Sequence, residues 1–246
     1  MQIERLPDAQ AVATRAADLV AETLRRKPEA VLLLPAGRTP VPLYAELVRR
    51  GRERTLDLSR ARLFQLDELV GVSSTDRRGF HAFFLEHLVR PLGLERCFRG
   101  LDGAARDPAA EIERHRRELE RCGPADLVLL GLGGNGHVAF NEPGSTLADA
   151  ARVVTLGETT LAGLAHEFPE DCPRRGMTLG MAEIDAGARV AMLVTGAAKA
   201  EMLAHVLAGK PTNERPATLL TGHRDFLLLA DETAAPRAEP SRRARR

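Results

Sequence analysis

Short apolar segments that alternate with amphipathic stretches constrain the fold of this 246-residue chain more than any other feature. Apolar segments of this length suit strands that are buried on both faces of a sheet. Strands that alternate with helices form right-handed crossovers and a mostly parallel sheet. We therefore predict an α/β fold, a three-layer sandwich in which a mostly parallel, Rossmann-like sheet carries helices on both faces. The predicted strands are residues 30–35, 61–66, 126–131, 152–156, 189–195 and 225–230, the last of which closes the sheet.

The intervening stretches have the periodicity of amphipathic helices. In the first of them Ala11, Val12, Leu19 and Val20 recur at roughly helical spacing, with polar residues between them. Pro40 suits the first position of a later helix. The predicted helices are residues 8–26, 40–50, 80–89, 108–121 and 159–167, and a segment that starts after residue 196 and ends near residue 208.

The charge balance excludes several classes of partner. Lysine and arginine number 35 against 34 acidic residues, so the net charge is +1 and no overall field draws the chain to nucleic acid or to an anionic membrane. No apolar run approaches the ~20 residues of a membrane span. We expect a small-molecule partner that is recognised locally, with no nucleic acid and no membrane. The oligomeric state stays open, a homo-oligomer included.

Cysteine spacing and the distribution of charge bear on location and domain organisation. The 3 cysteines show no CxxC spacing, which argues against a disulfide framework and against a zinc site. Reduced thiols indicate a cytoplasmic protein. We predict one domain over residues 1–235, followed by a basic, disordered tail over residues 236–246, for which we disfavour a nucleic-acid role.

Polar loops follow four of the predicted strands. The carboxyl ends of parallel strands meet at one edge of a sheet, and ligands of open α/β sheets bind outside that edge. The four loops can therefore meet around one ligand although they are far apart in the chain. They contain residues 37–39, Asp67 with Glu68, residues 133–142, and residues 196–199.

The loop after residue 131 carries most of the candidate chemistry. Its glycines can adopt positive φ and let a ligand approach the backbone. His137 follows them, and Asn135 and Glu142 are near enough in sequence to hold its imidazole. A carboxylate behind a histidine fixes the tautomer and raises the basicity of the ring. The alternative, a metal site, is disfavoured because no HxxxH spacing and no second clustered histidine is present.

Asp67 and Glu68 are neighbours at the end of a predicted strand, so their side chains point to opposite sides of it. Only one of them should face a ligand, and its position at the carboxyl edge favours Asp67. A carboxylate there can act as a general base if it reaches the proton to be removed. The alternative interpretation is a solvated loop acid.

Gly37, Thr39 and Lys199 fit a phosphate site, because they supply backbone donors at a helix start, a hydroxyl and a point charge. Lys199 taken alone also fits a solvated helix residue. Residues 131–136 formally match the dinucleotide motif GxGxxG. We disfavour nucleotide binding because residues 138–143 do not continue as a helix and because the motif lies in mid-chain.

Four segments together resemble the glucosamine-6-phosphate deaminase family, within a wider group that includes 6-phosphogluconolactonase. They are Leu-Pro-Ala-Gly-Arg-Thr-Pro at 34–40, Phe-Gln-Leu-Asp-Glu-Leu-Val-Gly at 64–71, the glycine loop at 131–143, and Gly-Ala-Ala-Lys at 196–199. Residues 136–143, Gly-His-Val-Ala-Phe-Asn-Glu-Pro, look like the deaminase signature. The resemblance therefore favours a deaminase over a lactonase.

The resemblance implies isomerisation of an aminosugar phosphate with loss of ammonia, fructose 6-phosphate as the product, and neither metal nor organic cofactor. Asp67 would move the C2 proton of the opened sugar to C1. His137 would assist ring opening by protonating the ring oxygen, with Glu142 orienting it and Asn135 standing where some members have Asp. The residues implied to hold the 6-phosphate are Gly37, Arg38, Thr39 and Lys199.

The chain departs from the family pattern in its lid. Members have a lid arginine that clasps the phosphate, whereas residues 153–173 contain no Arg and no Lys. His166 is the nearest counterpart, and Arg174 or Arg175 is the alternative. A histidine is a weaker and pH-dependent phosphate ligand, so we expect weaker binding or a different sugar. Val154 stands where allosteric members have a basic residue, which argues against activation by an acetylated sugar phosphate.

Two other functions are compatible with the same fold. One is hydrolysis of a sugar lactone phosphate, as in the lactonases. The other is a sugar-phosphate-sensing module of a regulator, which would carry a DNA-binding segment before the sheet. About 29 residues precede the first predicted strand, too few for a helix-turn-helix, so the regulator is the least favoured function.

Overall fold

The computed structural model of the protein describes residues 1–235, and the predicted basic tail lies outside them. Its strands are β1 (Gln2–Leu6), β2 (Val31–Leu34), β3 (Arg62–Gln65), β4 (Asp67–Leu69), β5 (Phe98–Arg99), β6 (Leu127–Gly131), β7 (Arg152–Thr155), β8 (Arg175–Thr178), β9 (Val190–Val194) and β10 (Phe226–Asp231). Within the described residues, seven of them form a parallel sheet in the order β1-β10-β9-β6-β2-β3-β5.

Helices connect these strands. The carboxylate of Asp8 caps the first helix by accepting a hydrogen bond from the Ala11 N–H at 2.8 Å. A cap of this kind stabilises a helix by about 1 kcal/mol. No helix between residues 1 and 235 combines the length and the hydropathy that crossing a bilayer requires. The helices are α1 (Ala9–Arg26), α2 (Val41–Arg52), α3 (Phe80–Phe84), α4 (Arg90–Leu92), α5 (Pro108–Cys122), α6 (Glu158–Leu164), α7 (Met181–Asp185) and α8 (Ala200–Leu207), with a π-turn at Leu85–Val89 and 3-10 turns at Ala197–Lys199 and Pro216–Gly222.

Strand β2 shows why the sheet is covered on both faces. All four of its residues are buried, and successive side chains point to opposite sides. Leu32 and Leu34 join one core with residues of α1 and α2. Val31 and Leu33 join a second core with residues of α7 and α8. The predicted three-layer α/β sandwich with a mostly parallel sheet is therefore confirmed.

The edge of the sheet differs from the prediction. β1 pairs in parallel with β10 from Gln2↔Leu227 to Leu6↔Asp231, so β10 lies inside the sheet and the strand predicted to close it is not its edge. The sequence pattern did not indicate β1 because an edge strand needs no continuous apolar run. Its Glu4 and Arg5 lie outside the two cores, and only Ile3 and Leu6 pack against them.

The strand predicted at residues 152–156 belongs to a second sheet and not to the central one. β7, β8 and β4 form an antiparallel sheet in which Asp67 pairs with Thr178 and Thr178 pairs with Arg152. β4 begins two residues after β3 ends. The chain therefore passes from one sheet to the other at Leu66, and Asp67 lies at the junction.

Candidate active site

A cavity of about 560 Å³ lies at the carboxyl ends of the central strands. Loops that follow β2, β3, β6 and β9 line it, together with part of α6 and of the turn after α6. Asn135 and Glu142 lie behind the wall, and His166 is exposed on the turn after α6, away from the cavity. Six of the predicted site residues form part of the wall, namely Gly37, Arg38, Thr39, Asp67, His137 and Lys199.

Asp67 is a buried acid that faces this cavity. Its exposed fraction is 6%, and within residues 1–235 its carboxylate accepts no hydrogen bond. Burial, with a smaller contribution from the charge of Glu68, raises the pKa of Asp67 to about 8. A carboxylate with this pKa is a much stronger base, once ionised, than an aspartate in water.

Glu68, by contrast, forms hydrogen bonds that hold neighbouring backbone in place. Its carboxylate accepts hydrogen bonds from the backbone N–H groups of Leu69 (2.8 Å), Phe80 (3.0 Å) and His81 (2.6 Å), and from the side-chain amide of Gln65 (2.9 Å). Phe80 and His81 are the first residues of α3, whose N-cap glycine has no side chain to offer. Glu68 therefore caps α3 from a neighbouring strand. Of the two adjacent acids, only Asp67 lines the cavity.

Thr160 of α6 connects His137 to Glu142. Its hydroxyl lies 2.5 Å from Glu142 Oε1 and 3.1 Å from His137 Nδ1, whereas the direct distance from Nδ1 to Glu142 Oε2 is 3.8 Å. A hydroxyl has one proton, and the shorter contact gives it to the carboxylate. His137 Nδ1 must then be the donor to Thr160, so the neutral ring leaves Nε2 as a free acceptor.

Two further contacts fix Glu142 and the loop. Glu142 Oε1 also accepts a hydrogen bond from the Gly157 N–H at 3.1 Å, and Oε2 accepts one from Asn135 Nδ2 at 3.0 Å. Asn135 Oδ1 accepts a hydrogen bond from the backbone N–H of His137 at 3.1 Å. The expected set of Asn135, His137 and Glu142 is therefore together, but the carboxylate reaches the ring through Thr160, which the sequence analysis did not single out.

Electrostatics keep the imidazole neutral. Burial lowers the pKa of His137, the charge of Glu142 opposes this effect, and the charge of Lys199 adds to it. Gly133 is needed here, because a Cβ at this position would lie 2.4 Å from the imidazole ring. A neutral, tightly surrounded histidine with an unprotonated Nε2 can accept a proton from a ligand hydroxyl.

Positive charge and backbone donors face the cavity from the opposite loops. Gly37, with φ +105°, and Thr39 precede α2, whose N-terminus favours an anion. Lys199 is partly buried, burial lowers its pKa, and within residues 1–235 it has no ion-pair partner. Arg38 is exposed and pairs with Glu167 at 3.2 Å. These groups can hold a phosphate.

The sequence analysis missed Arg77 and Arg78, which line the cavity from the loop between β4 and α3. Arg78 pairs with Asp76 at 2.8 Å and with Asp171 at 2.9 Å, and its guanidinium lies 4.4 Å from the centre of the Phe168 ring. The dipeptide Arg77-Arg78 ahead of a helix start was the available signal, but nothing in its spacing indicated which way the loop folds.

The residues considered as replacements for the family's lid arginine do not line the cavity. Arg174 and Arg175 are exposed and, like His166, do not line the cavity. Positive charge at the site comes instead from the body of the protein. In the described part of the chain, no three His, Cys, Asp or Glu side chains are grouped so that they could hold a metal ion.

Known proteins resemble this chain in sequence and in fold. Residues 7–228 match the family described as glucosamine-6-phosphate isomerases/6-phosphogluconolactonase. Glucosamine-6-phosphate deaminase 2 of Giardia intestinalis is 38% identical over 219 residues, which cover 87% of this chain and 83% of that protein. A solved structure of a monomeric glucosamine-6-phosphate deaminase matches with a TM-score of 0.92 at 32% identity, over 96% of this chain and 99% of that one.

The fold is also that of a lactonase. The structure of 6-phosphogluconolactonase from Leishmania guyanensis matches with a TM-score of 0.78, over 96% of this chain and 97% of that chain. The identity is 21%, so this likeness concerns the fold alone.

Proposed function

This chain belongs to the glucosamine-6-phosphate isomerase/6-phosphogluconolactonase family, and from that membership we propose that it converts glucosamine 6-phosphate, or a close epimer, to fructose 6-phosphate and ammonia. One observation carries the proposal: Asp67, a buried acid whose carboxylate accepts no hydrogen bond from residues 1–235, and His137, a neutral histidine, line the same cavity beside a cationic loop. An acid and an imidazole so arranged can move protons on a bound sugar.

Ring opening is the first step. Nε2 of His137 accepts the proton of the C1 hydroxyl, the bond between C1 and the ring oxygen breaks, and the imidazolium returns the proton to the ring oxygen. Glu142 stabilises the transient imidazolium through Thr160. His137 ends the step neutral, as it began, and the expected protonation of the ring oxygen is the second half of this proton relay.

Proton transfer between carbons follows. The ionised Asp67 removes the C2 proton of the open-chain aldehyde, and the electron pair of that bond forms an enolate with its charge on O1. The same acid returns the proton to C1 while a proton of the C2 amino group passes to O1, which leaves a hydroxyl at C1 and an imine at C2. Water adds to this imine, and ammonia leaves as the C2 ketone forms, so that one sugar phosphate and one water yield one ketose phosphate and one ammonia. The chain supplies both the base and a cavity that limits access of other water.

The phosphate end of the substrate is assigned to the loop at the start of α2 and to Lys199. Gly37 and Thr39 offer backbone N–H groups and a hydroxyl, and Lys199 and Arg38 offer charge. Charge-assisted hydrogen bonds are about twice as strong as neutral ones, so these cations would contribute most to substrate affinity. Lys199 would contribute the larger part, because Arg38 is already paired.

Ammonia release tests the function directly. Glucosamine 6-phosphate and its galacto epimer are incubated with the protein, and ammonia and ketose phosphate are measured together. We expect both products from at least one epimer, and an Asp67→Asn variant should bind the sugar phosphate without turning it over. Failure of folded protein to release ammonia from either sugar would refute the proposal.

A lactonase is the second candidate, since the fold is shared with lactonases. It would accelerate hydrolysis of 6-phosphogluconolactone and leave aminosugar phosphates unchanged, so the same protein preparation is assayed with both substrates. One set of contacts supports the deaminase, because it keeps the imidazole of His137 in the tautomer that ring opening needs. These contacts run from Asn135 through Glu142 and Thr160 to His137.

A cytoplasmic location fits this activity. Within the described residues the cysteines Cys97, Cys122 and Cys172 are all free thiols. Free thiols persist where glutathione and thioredoxin keep them reduced, and a sugar-phosphate substrate is an intracellular metabolite class.

A further inference from the structure

Two carboxylates of one segment pair with two arginines at the rim of the cavity. We call residues 158–173, which comprise α6 and the turn after it, the lid. Glu167 of the lid accepts a hydrogen bond from Arg38 at 3.2 Å, and Asp171 accepts one from Arg78 at 2.9 Å. Arg38 and Arg78, two of the cations that line the cavity, are therefore paired with carboxylates of the lid.

The two pairs differ in what happens if the lid acid is removed. Arg78 keeps Asp76 as a second partner at 2.8 Å and keeps its stacking on Phe168. Arg38 has no ion-pair partner besides Glu167 in the part of the chain that the structure describes. Only the charge of Arg38 is thus freed when its lid acid moves.

Glu167 is placed to exchange partners. It lines the cavity, and while Oε1 accepts a hydrogen bond from Arg38, Oε2 is buried and has no hydrogen-bond partner within residues 1–235. A buried carboxylate oxygen without a partner is unfavourable, so this carboxylate is not held firmly where it lies. A phosphate bound beside Arg38 would repel it and supply three acceptor oxygens to the same guanidinium.

We propose that Glu167 lowers the affinity of the site for the substrate phosphate by competing with it for Arg38. The inference rests on the proposed function, because it takes Arg38 as part of the phosphate site. A phosphate that binds beside Arg38 displaces the carboxylate, and breaking the pair between Arg38 and Glu167 offsets part of the binding free energy.

Inorganic phosphate is the probe, so that the test does not depend on turnover. Its dissociation constant is measured by protein-observed NMR titration at low ionic strength, where exposed ion pairs are least screened. Glu167→Gln is compared with Glu170→Gln, an exposed lid acid that makes no hydrogen bond or ion pair inside the described region. Both variants lose one negative charge from the same segment.

We expect Glu167→Gln to tighten phosphate binding about two- to fivefold, the range that an exposed pair of this kind allows. Glu170→Gln should change it less than about 1.5-fold, because its charge is screened by solvent. In an Arg38→Gln background, Glu167→Gln should bring no gain, since the contested cation is gone.

Several results would overturn the inference. One is an equal gain of phosphate affinity in Glu167→Gln and Glu170→Gln, and another is weaker phosphate binding in Glu167→Gln than in wild type. The inference also fails if Glu167→Gln brings the same gain in the Arg38→Gln background, or if none of the proteins binds phosphate. The proposed function fails by a different observation, the lack of ammonia release, and phosphate competition by Glu167 would stand if another sugar phosphate proved to be the substrate.

Discussion

At the scale of single residues, Asp67 combines its proposed catalytic role with a cost in stability. Its pKa is raised from 3.8 to about 8, chiefly by burial. The folded protein therefore binds a proton here that the unfolded chain releases, so the contribution of Asp67 to stability is present below pH 4 and is lost as pH rises towards 8. The same rise in pH creates the ionised base that the proposed mechanism needs.

Replacing Asp67 with Asn should therefore stabilise the protein while abolishing activity. We expect the free energy of unfolding at neutral pH to rise by about 1–2 kcal/mol, the usual size of gain from relieving a strained functional site. The gain should grow between pH 5 and pH 8, because only the wild-type residue titrates there. Denaturant unfolding at several pH values measures it, and a variant less stable than wild type at pH 8 would contradict the account.

The wild-type pH profile follows from the same residue and from His137. kcat/KM should rise with pH as Asp67 ionises, and it should fall at acid pH where His137 becomes protonated and can no longer accept a proton.

Thr160 is the residue through which Glu142 acts on His137, and a Thr160→Val change removes only that link. We expect kcat to fall about ten- to a hundredfold, the effect of losing a hydrogen bond to a charged group. KM should change little, since the phosphate contacts are elsewhere. Thr160→Ser keeps the hydroxyl and should retain most activity, so equal losses in the two variants would show that shape rather than the hydroxyl matters.

Sequence reasoning could bring Asp67, His137 and the loop proposed to bind phosphate to one edge of the sheet, because each follows a recognisable strand. It could not find Thr160, whose hydroxyl is one among many and acquires its role only when α6 folds over the glycine loop. The side chains of Arg77 and Arg78 were equally undetermined, since the direction of a loop depends on tertiary contacts such as the stacking of Arg78 on Phe168.

At the scale of elements, α3 depends on an acid from another element. Its N-cap Gly79 offers no side chain, and Glu68 of β4 accepts the first N–H groups of the helix instead. The apolar runs of the central strands could be read directly from the sequence. The second sheet could not, because β4, β7 and β8 are three or four residues long and their pairing joins distant parts of the chain.

A Glu68→Gln change should weaken the contact between β4 and the N-terminus of α3. An amide oxygen can replace only some of the hydrogen bonds, so we expect the free energy of unfolding to fall by about 1–3 kcal/mol. The loss of the Glu68 charge should also lower the pKa of Asp67, so that the rise of kcat/KM with pH occurs at lower pH. Thermal unfolding and pH profiles measure both effects.

Glu29→Gln is the matched control, because the exposed Arg60 is the only ion-pair partner of Glu29 among residues 1–235. It should change the free energy of unfolding by less than about 0.5 kcal/mol. Indistinguishable losses in the two variants would contradict the role assigned to Glu68.

At the scale of the whole molecule, β1 protects the sheet. β10 is buried along its full length, and β1 covers its outer side. Removing residues 1–7 should therefore lower the melting temperature and cause aggregation that increases with protein concentration, because an apolar strand becomes an unpaired edge. Light scattering and calorimetry measure these effects.

A Glu4→Gln variant serves as the control. It loses the ion pair with Arg15 at 2.9 Å but keeps the backbone of β1, so it should stay soluble. A shortened chain that remained as soluble and as stable as this control would argue against a protective role for β1.

The pairing of β1 with β10 also limits the order in which the strands of the central sheet can assemble during synthesis. Residues Gln2 and Leu227 are partners in the ladder although almost the whole described chain separates them. During synthesis on the ribosome, β1 would have no strand to pair with until β10 had been synthesised. Contacts between such distant positions form slowly. Nascent chains should therefore be most in need of chaperones until residues 226–231 are available to pair with β1.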